Sequence, residues 1–456
     1  MRAGNRIFAR MCFVGVVFFL SANLTVVSAQ ENWPQFRGAL AEGIGSGDLP
    51  TEWDVESGRN VSWKTAIPGL AHSSPVIWED RIFLTSCVNP DMNADVPTGW
   101  LGGTGDSPEE EGEWTWQVVC VGRENGEILW TTDVASGAPV VQRHIKATHA
   151  NCTCATDGKH VIAFFGSEGL YCLDFDGNLE WSRDLGRLQS APENAPSLEW
   201  GFASSPVIFK DNVVVQCDCV ESCSIDIFNI EDGSEIRKIE REEVSTWCTP
   251  AVFETDSGTQ LVCNGFKQMA GYDFETGEQL WTLSGGGDIP VPTPLFANGL
   301  IYLTNGHGRS PTYAIEPDAS GDLTPPEDSS ALPPGLAWYQ PEDGSYMPTP
   351  LVLDDLIYTC NDNGRLAVRD AMTGELVYRK RVTTGATFSG SAVATRSHLY
   401  FPAENGDVVV VKTGREFEEI AVNKFDETLM ATPAIAGDEL FVRTVGHLYC
   451  ITESDE

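Results

Sequence analysis

One pattern recurs eight times along this chain of 456 residues, and it restricts the fold more than any other feature. A lead-in of small residues, often ending in Pro, precedes a strand, a polar turn and a second strand rich in Val, Ile, Phe and Tyr. The lead-ins are His72-Ser73-Ser74-Pro75, His149-Ala150-Asn151-Cys152, Ala203-Ser204-Ser205-Pro206, Trp247-Cys248-Thr249-Pro250, Val291-Pro292-Thr293-Pro294, Met347-Pro348-Thr349-Pro350, Ser389-Gly390-Ser391-Ala392 and Met430-Ala431-Thr432-Pro433. Where no insertion intervenes they lie 41 to 44 residues apart, the length of a four-stranded blade. Most repeats close on a small residue, an acidic or polar one, a Thr-Gly-type turn and an aromatic four residues after the Gly. Gly271 to Gly277 with Trp281 is the clearest copy, and Gly126 with Trp130, Gly177 with Trp181 and Gly374 with Tyr378 follow it. The Gly supplies a positive-φ turn between the outer strands. The aromatic is expected to pack between neighbouring blades rather than to hold a cofactor.

The expected fold is therefore all-β: an eight-bladed β-propeller with four antiparallel strands per blade. The last repeat stops at Leu448-Tyr449-Cys450-Ile451 without an outer strand, and Asn60-Val61-Ser62-Trp63-Lys64 has the outer-strand pattern ahead of the first lead-in. The N-terminal strand is thus expected to complete the last blade and close the ring, which removes open edges. Two insertions stand out among the longer spacings. One, residues 88–113, holds Asp91, Asp95, Asp106, Glu109, Glu110, Glu111 and Glu113. It is expected to be a solvated loop, since its carboxylates lack the register of a known calcium loop. The other, Pro317 to Gly335, is expected to wrap the outside of blade 5.

Arg2, Arg6 and Arg10 precede an apolar stretch from Met11 to Leu20, extended by Leu24 to Val27, and Val27-Ser28-Ala29 offers a cleavage site. Residues 1–29 read as a signal peptide and 30–456 as one propeller, periplasmic or secreted. No Cys follows the cleavage site, so no lipid anchor is expected, and no later segment is apolar enough to span a bilayer. Lys plus Arg number 29 against 66 Asp plus Glu, a net charge of −37. That excludes nucleic acid and anionic lipid surfaces as partners, because both need basic faces. A monomer is expected.

These lead-ins and closures resemble the PQQ-like β-propeller repeat. Within that superfamily, quinoprotein alcohol and glucose dehydrogenases hold pyrroloquinoline quinone (PQQ) and calcium, and the assembly factor BamB and its relatives use the propeller to bind proteins. In layout the chain is most similar to exported planctomycete-type PQQ-binding-like propellers. Trp33-Pro34-Gln35-Phe36-Arg37-Gly38, His144 to Asn151 and Gly285 to Pro290 carry that likeness. It covers about residues 32 to 453 and implies fold rather than function. The adjacent Cys pair that quinoprotein dehydrogenases place over the quinone has no counterpart: Cys152 and Cys154, like Cys217 and Cys219, are separated by one residue. No clear Glu, Asn and Asp calcium set stands out.

Antiparallel connectivity puts the residues entering the first strand of each blade on one face with those leaving the second. That top face gathers the candidate ligand site: His72, Arg143, Lys146, His149, Trp247, Lys267, Asp288 and His307. Arg143, His144, Lys146 and His149 suit an anion through charge-assisted hydrogen bonds, or else pin a loop to neighbouring carboxylates. Cys120, Cys172 and Cys450 fill the small-residue slot of the closure. Cys217, Cys219, Cys223, Cys263 and Cys360 admit disulfides, and the Cys-x-Cys spacing is poor for zinc. The leading expectation is an exported binding or scaffold module at the cell envelope, with a protein or glycan partner or a ligand on the top-face funnel, no resident cofactor and no metal. The alternative is a divergent PQQ-dependent oxidoreductase holding PQQ with calcium. A polysaccharide hydrolase would need a close carboxylate pair that no motif places.

Overall fold

The computed structural model describes Met1 and residues 32–90, 96–101, 107–108, 110, 112–327 and 331–454. The expected signal peptide and the insertion carboxylates Asp91, Asp95, Asp106, Glu109 and Glu111 lie outside the described residues. Eight antiparallel sheets form the blades of one propeller. Blades 1 to 4 begin with the strands Val76–Trp78, Ala155–Thr156, Val207–Phe209 and Ala251–Thr255. Blades 5 to 8 begin with Leu295–Ala297, Leu351–Leu353, Val393–Ala394 and Ala434–Ala436. Middle strands such as His160–Phe164 are buried at every position, because neighbouring blades cover both faces. Outer strands such as Glu235–Glu240 alternate between exposed and half-buried, because one edge meets water. No helix among the described residues is long and apolar enough to cross a membrane.

The Val61–Ala66 strand pairs antiparallel with His447–Ile451, with Trp63 opposite Cys450, so the ring closes as the sequence predicts. The closure aromatics then clamp blade to blade. Trp63 Nε1 donates to Arg123 O of blade 1 at 2.9 Å, Trp130 to Phe175 O of blade 2 at 2.9 Å, and Trp181 to Ile230 O of blade 3 at 2.7 Å. Each indole lies against the turn glycine of the next blade. A Cβ on Gly177 (φ +84°) would sit 2.8 Å from Trp130, so the position needs glycine for space as well as for φ. Cys120 and Cys172 face Trp130 and Trp181 across the ladder, where only a small side chain leaves room for the indole.

At the axis the lead-ins form a belt of hydroxyls. The backbone N–H of Ser74 donates to Thr153 Oγ1 at 2.9 Å, Thr153 to Ser205 Oγ at 2.9 Å, and Ser205 to Thr249 Oγ1 at 3.0 Å. Thr293 donates to Thr349 Oγ1 at 3.0 Å, Thr349 to Ser391 Oγ at 2.9 Å, and Ser391 to Thr432 Oγ1 at 2.9 Å. Each of these six lead-in N–H groups, buried and without a ladder partner, is satisfied by the next blade. In blade 2 the belt residue is Thr153, two residues beyond the Asn151 that the sequence pattern suggests, because no Pro marks the spot. The belt has two gaps, and a long side chain bridges each. Between blades 4 and 5, Asn264 Nδ2 donates to Pro292 O (2.7 Å) and Thr304 O (2.8 Å). Between blades 8 and 1, Arg443 Nη1 reaches Ser73 O (3.1 Å) and Thr85 O (2.9 Å), and burial lowers its guanidinium to about 10.

Below the belt the N-terminal segment plugs the axis. Trp33 N donates to Ile77 O of blade 1 at 2.8 Å, and Thr156 N of blade 2 donates to Pro34 O at 2.8 Å. Ile208 N of blade 3 donates to Gln35 Oε1 at 3.0 Å. Buried Arg37 donates to Pro350 O of blade 6 (2.8 Å) and Ala392 O of blade 7 (3.0 Å). The second insertion differs from expectation. Its Gly321–Asp322 strand adds in parallel to the outer strand of blade 4, where fully buried Leu323 finds apolar cover and Leu323 N donates to Thr282 O at 2.8 Å.

Replacing Thr349 with Val keeps shape but orphans the Thr293 N–H, and should cost about 1–3 kcal/mol in denaturant unfolding. The Thr293 hydroxyl is buried without a partner, so Thr293→Val should be neutral or stabilising. Equal losses at both positions would contradict the belt.

Candidate functional site

Along an extended lead-in, alternate side chains face the same way. The residues two places before the belt hydroxyls therefore also point to the axis, among them His72, Asn151, Trp247, Met347, Ser389 and Met430. They wall a cavity of about 340 Å³, with the belt beneath them and Phe36 of the plug at its base. Trp200, His144, Tyr346 and His307 extend the walls, and Trp100 from the first insertion stands at the mouth, 80% exposed. The cavity is a funnel open on the top face and blind at the plug.

Its polar centre is an ion pair. Lys146 Nζ donates to both oxygens of Glu404, at 2.7 and 2.8 Å, and to Gly99 O at 3.0 Å. Glu404 also accepts from Gly99 N (2.8 Å), Thr387 Oγ1 (2.7 Å) and Ser389 Oγ (2.5 Å). Burial pushes the Glu404 carboxyl up, but Lys146 and the hydroxyls outweigh it and hold the group below the usual range. The pair ties the loop before blade 2 to blade 7 and pins Gly99 of the first insertion across the mouth.

Two imidazoles flank the pair. A carbonyl only accepts, so His72 donates Nε2–H to Lys146 O at 2.9 Å. A backbone N–H only donates, so His144 Nδ1 accepts from Lys146 N at 3.1 Å. Burial lowers both to about 4, with nearby cations adding to the shift. Both are therefore neutral at neutral pH.

Four of the eight residues singled out in the sequence, His72, Lys146, Trp247 and His307, come together on the funnel. Asp288 joins them at the rim, accepting from His307 Nδ1 at 2.6 Å. Arg143 and His149 turn away onto Glu110: Arg143 Nη2 reaches Oε1 at 2.6 Å and His149 Nε2 reaches Oε2 at 2.8 Å. Burial raises the Glu110 carboxyl, but these two partners hold it below its usual range. The insertion is thus anchored by a buried carboxylate at Glu110, not merely solvated there. Lys267, half-exposed, pairs with Glu193 at 2.6 Å outside the funnel. All twelve cysteines among the described residues are buried free thiols, so the disulfides considered for Cys217, Cys219, Cys223, Cys263 and Cys360 do not form. Burial pushes Cys223 and Cys248 up to about 12, which suppresses thiolate chemistry.

Glu404 and Asp362 escape the sequence reading. Both follow the second strand of their blades, His398–Pro402 in blade 7 and Leu356–Cys360 in blade 6. Superposing the repeats is the signal that would have found them, since neither sits in a motif of its own.

Residues 115–377 and 222–456 match the family model described as outer membrane protein assembly factor BamB. Among solved structures, BamB from Moraxella catarrhalis is 14% identical with a TM-score of 0.50, over 82% of this chain and 98% of that one. Quinohemoprotein alcohol dehydrogenase from Comamonas testosteroni is 11% identical with a TM-score of 0.61, over 93% of this chain and 81% of that one. A europium-containing methanol dehydrogenase is 11% identical with a TM-score of 0.57, over 91% and 90%. At these identities the likeness shows the fold alone. No curated protein sequence matches the chain.

Lys146→Met leaves Glu404, 2% exposed, without its cation, and should cost about 3 kcal/mol in denaturant unfolding. The double variant Lys146→Met/Glu404→Gln should recover most of that loss; no recovery would contradict the pairing. His72 is depressed in the folded state, so its stability contribution is present above about 6.5 and lost as pH falls toward about 4. Over that window the wild type should lose melting temperature relative to His72→Asn. A constant difference would contradict a buried neutral imidazole.

Proposed function

The chain belongs to the PQQ-like β-propeller family whose model carries the BamB description, and on that premise we propose that it is a non-catalytic binding module of the cell envelope. Its ligand, or the projecting group of a protein or glycan partner, lodges in the top-face funnel. The observation that carries this reading is the funnel itself: a blind cavity on a rigid ring, walled by aromatic side chains, with a few fixed polar groups. Such a cavity suits recognition. The basic, apolar N-terminal segment supports export, and the family description supports an envelope setting.

A quinone-dependent role finds less support, because the residues present do not fit PQQ with calcium. The quinone carries three carboxylates, and among the described residues the funnel offers no free cation to receive them. Lys146 is spent on Glu404, both imidazoles are neutral, and Arg143 and Lys267 are paired elsewhere. Among the described residues no three His, Cys, Asp or Glu side chains are grouped to hold a metal ion.

A thermal-shift screen of small neutral, cationic and anionic compounds tests the binding role. At least one class should raise the melting temperature as mass action requires, and Val291→Trp, which fills the funnel, should abolish the shift. Ligands that bind Val291→Trp as well as wild type would contradict the site. Dye-linked oxidation of alcohols or sugars after adding PQQ and calcium would put the oxidoreductase reading in its place.

A further inference from the structure

The charges facing the funnel do not balance. Lys146 and Glu404 neutralise each other, His72 and His144 are neutral, and His307 is bonded to Asp288. That leaves Asp362, whose carboxylate lines the cavity with no ion-pair partner among the described residues. Burial pushes its carboxyl up, against the lowering effect of its own and the Asn363 N–H, while Glu404 and Lys146 act on it in opposite senses. An anionic ligand would meet this carboxylate and find no free cation among the described residues. A neutral ligand would leave it uncompensated.

The walls supply the complement. Trp200 and Trp247 stand with ring centroids 5.8 Å apart and planes tilted by 40°, so two indoles form adjoining walls. His144 braces Trp200 edge-on at 5.1 Å, and the Trp247 N–H is held by Gly201 O at 3.0 Å, which fixes both rings. Tyr346 packs against His307 at 5.6 Å. Aromatic faces carry negative quadrupole density and attract a cation lying within about 6 Å. The net charge of −37 draws cations toward the whole surface.

We infer that the funnel binds an organic cation, an alkylammonium group seated against Trp200, Trp247 and Tyr346 with Asp362 as its counter-charge. This deepens the binding role and holds only if the funnel is the binding site. Six belt hydroxyls complete the lower wall: Thr153, Ser205, Thr249, Thr349, Ser391 and Thr432 each accept one N–H and keep a proton and a second lone pair for a ligand's polar group or a water.

The probes are tetramethylammonium, choline, its neutral isostere 3,3-dimethylbutanol, and propionate, titrated into the full-length mature protein by calorimetry and tryptophan emission. Both cations should bind saturably, and the isostere should bind about tenfold or more weakly than choline. Asp362→Asn should weaken choline about tenfold while leaving the melting temperature equal or higher, since it removes an uncompensated carboxylate. Trp247→Ala should weaken both cations. Equal binding of choline and its isostere, or unchanged choline affinity in Asp362→Asn, would overturn the cation class. Failure of both cations to bind would do the same. A neutral or anionic probe that binds while neither cation does, and whose binding is lost in Val291→Trp, would overturn the cation alone and leave the funnel as the site. If no compound of any charge loses binding in Val291→Trp, both readings fall.

Discussion

A ring of eight sheets has eight seams, and at the axis each seam meets the same difficulty. The lead-in backbone has left the loop but not yet entered a ladder, so its N–H is buried without a sheet partner. The hydroxyl of the next blade answers six of the eight, at 2.9 to 3.0 Å. This explains why the repeat carries Ser or Thr at one fixed position and why small residues surround it. It also sets the site. Because the belt fixes the lead-ins in register, the side chains two residues upstream form a second ring above it, and that ring walls the funnel. Asn264 and Arg443 mark the two seams where the pattern fails, and Arg443 does so where the chain's two ends meet.

The first insertion and the N-terminal segment turn this scaffold into a particular cavity. The plug from Trp33 to Gly45 blocks the lower end through backbone, Gln35 and Arg37 contacts to blades 1, 2, 3, 6 and 7. The insertion is held at two points by buried carboxylates, Glu110 through Arg143 and His149, and Gly99 through Glu404 and Lys146. In a chain so rich in carboxylates, these basic side chains are consumed by structure. What faces the funnel is then set by what remains, an acidic and aromatic surface.

Much of the fold was legible in the sequence, since a repeat announces itself by period and each blade repeats one physical solution. The shared blade built from Trp63 and Cys450 was readable because the last repeat lacks a strand that the first residues supply. The belt register in blade 2 was not, because Thr153 lacks the Pro that marks its counterparts. The site was only half legible. His72, Lys146 and Trp247 stand out by type and position, but which cation meets which carboxylate depends on loops that bring Glu110 beside Arg143 and Glu404 beside Lys146, 33 and 258 residues away. Asp362 sits beside Asn361 and Asn363, and only its isolation from any ion-pair partner among the described residues distinguishes it. That isolation is a property of the folded funnel.

A crystal structure with (2-bromoethyl)trimethylammonium tests the account at its centre, because bromine scatters anomalously and the cation cannot be mistaken for water. The account predicts an anomalous peak inside the funnel, above the hydroxyl belt, with the trimethylammonium group against Trp200 and Trp247 and facing Asp362. A funnel without the peak, in crystals that bind the compound elsewhere, would contradict it.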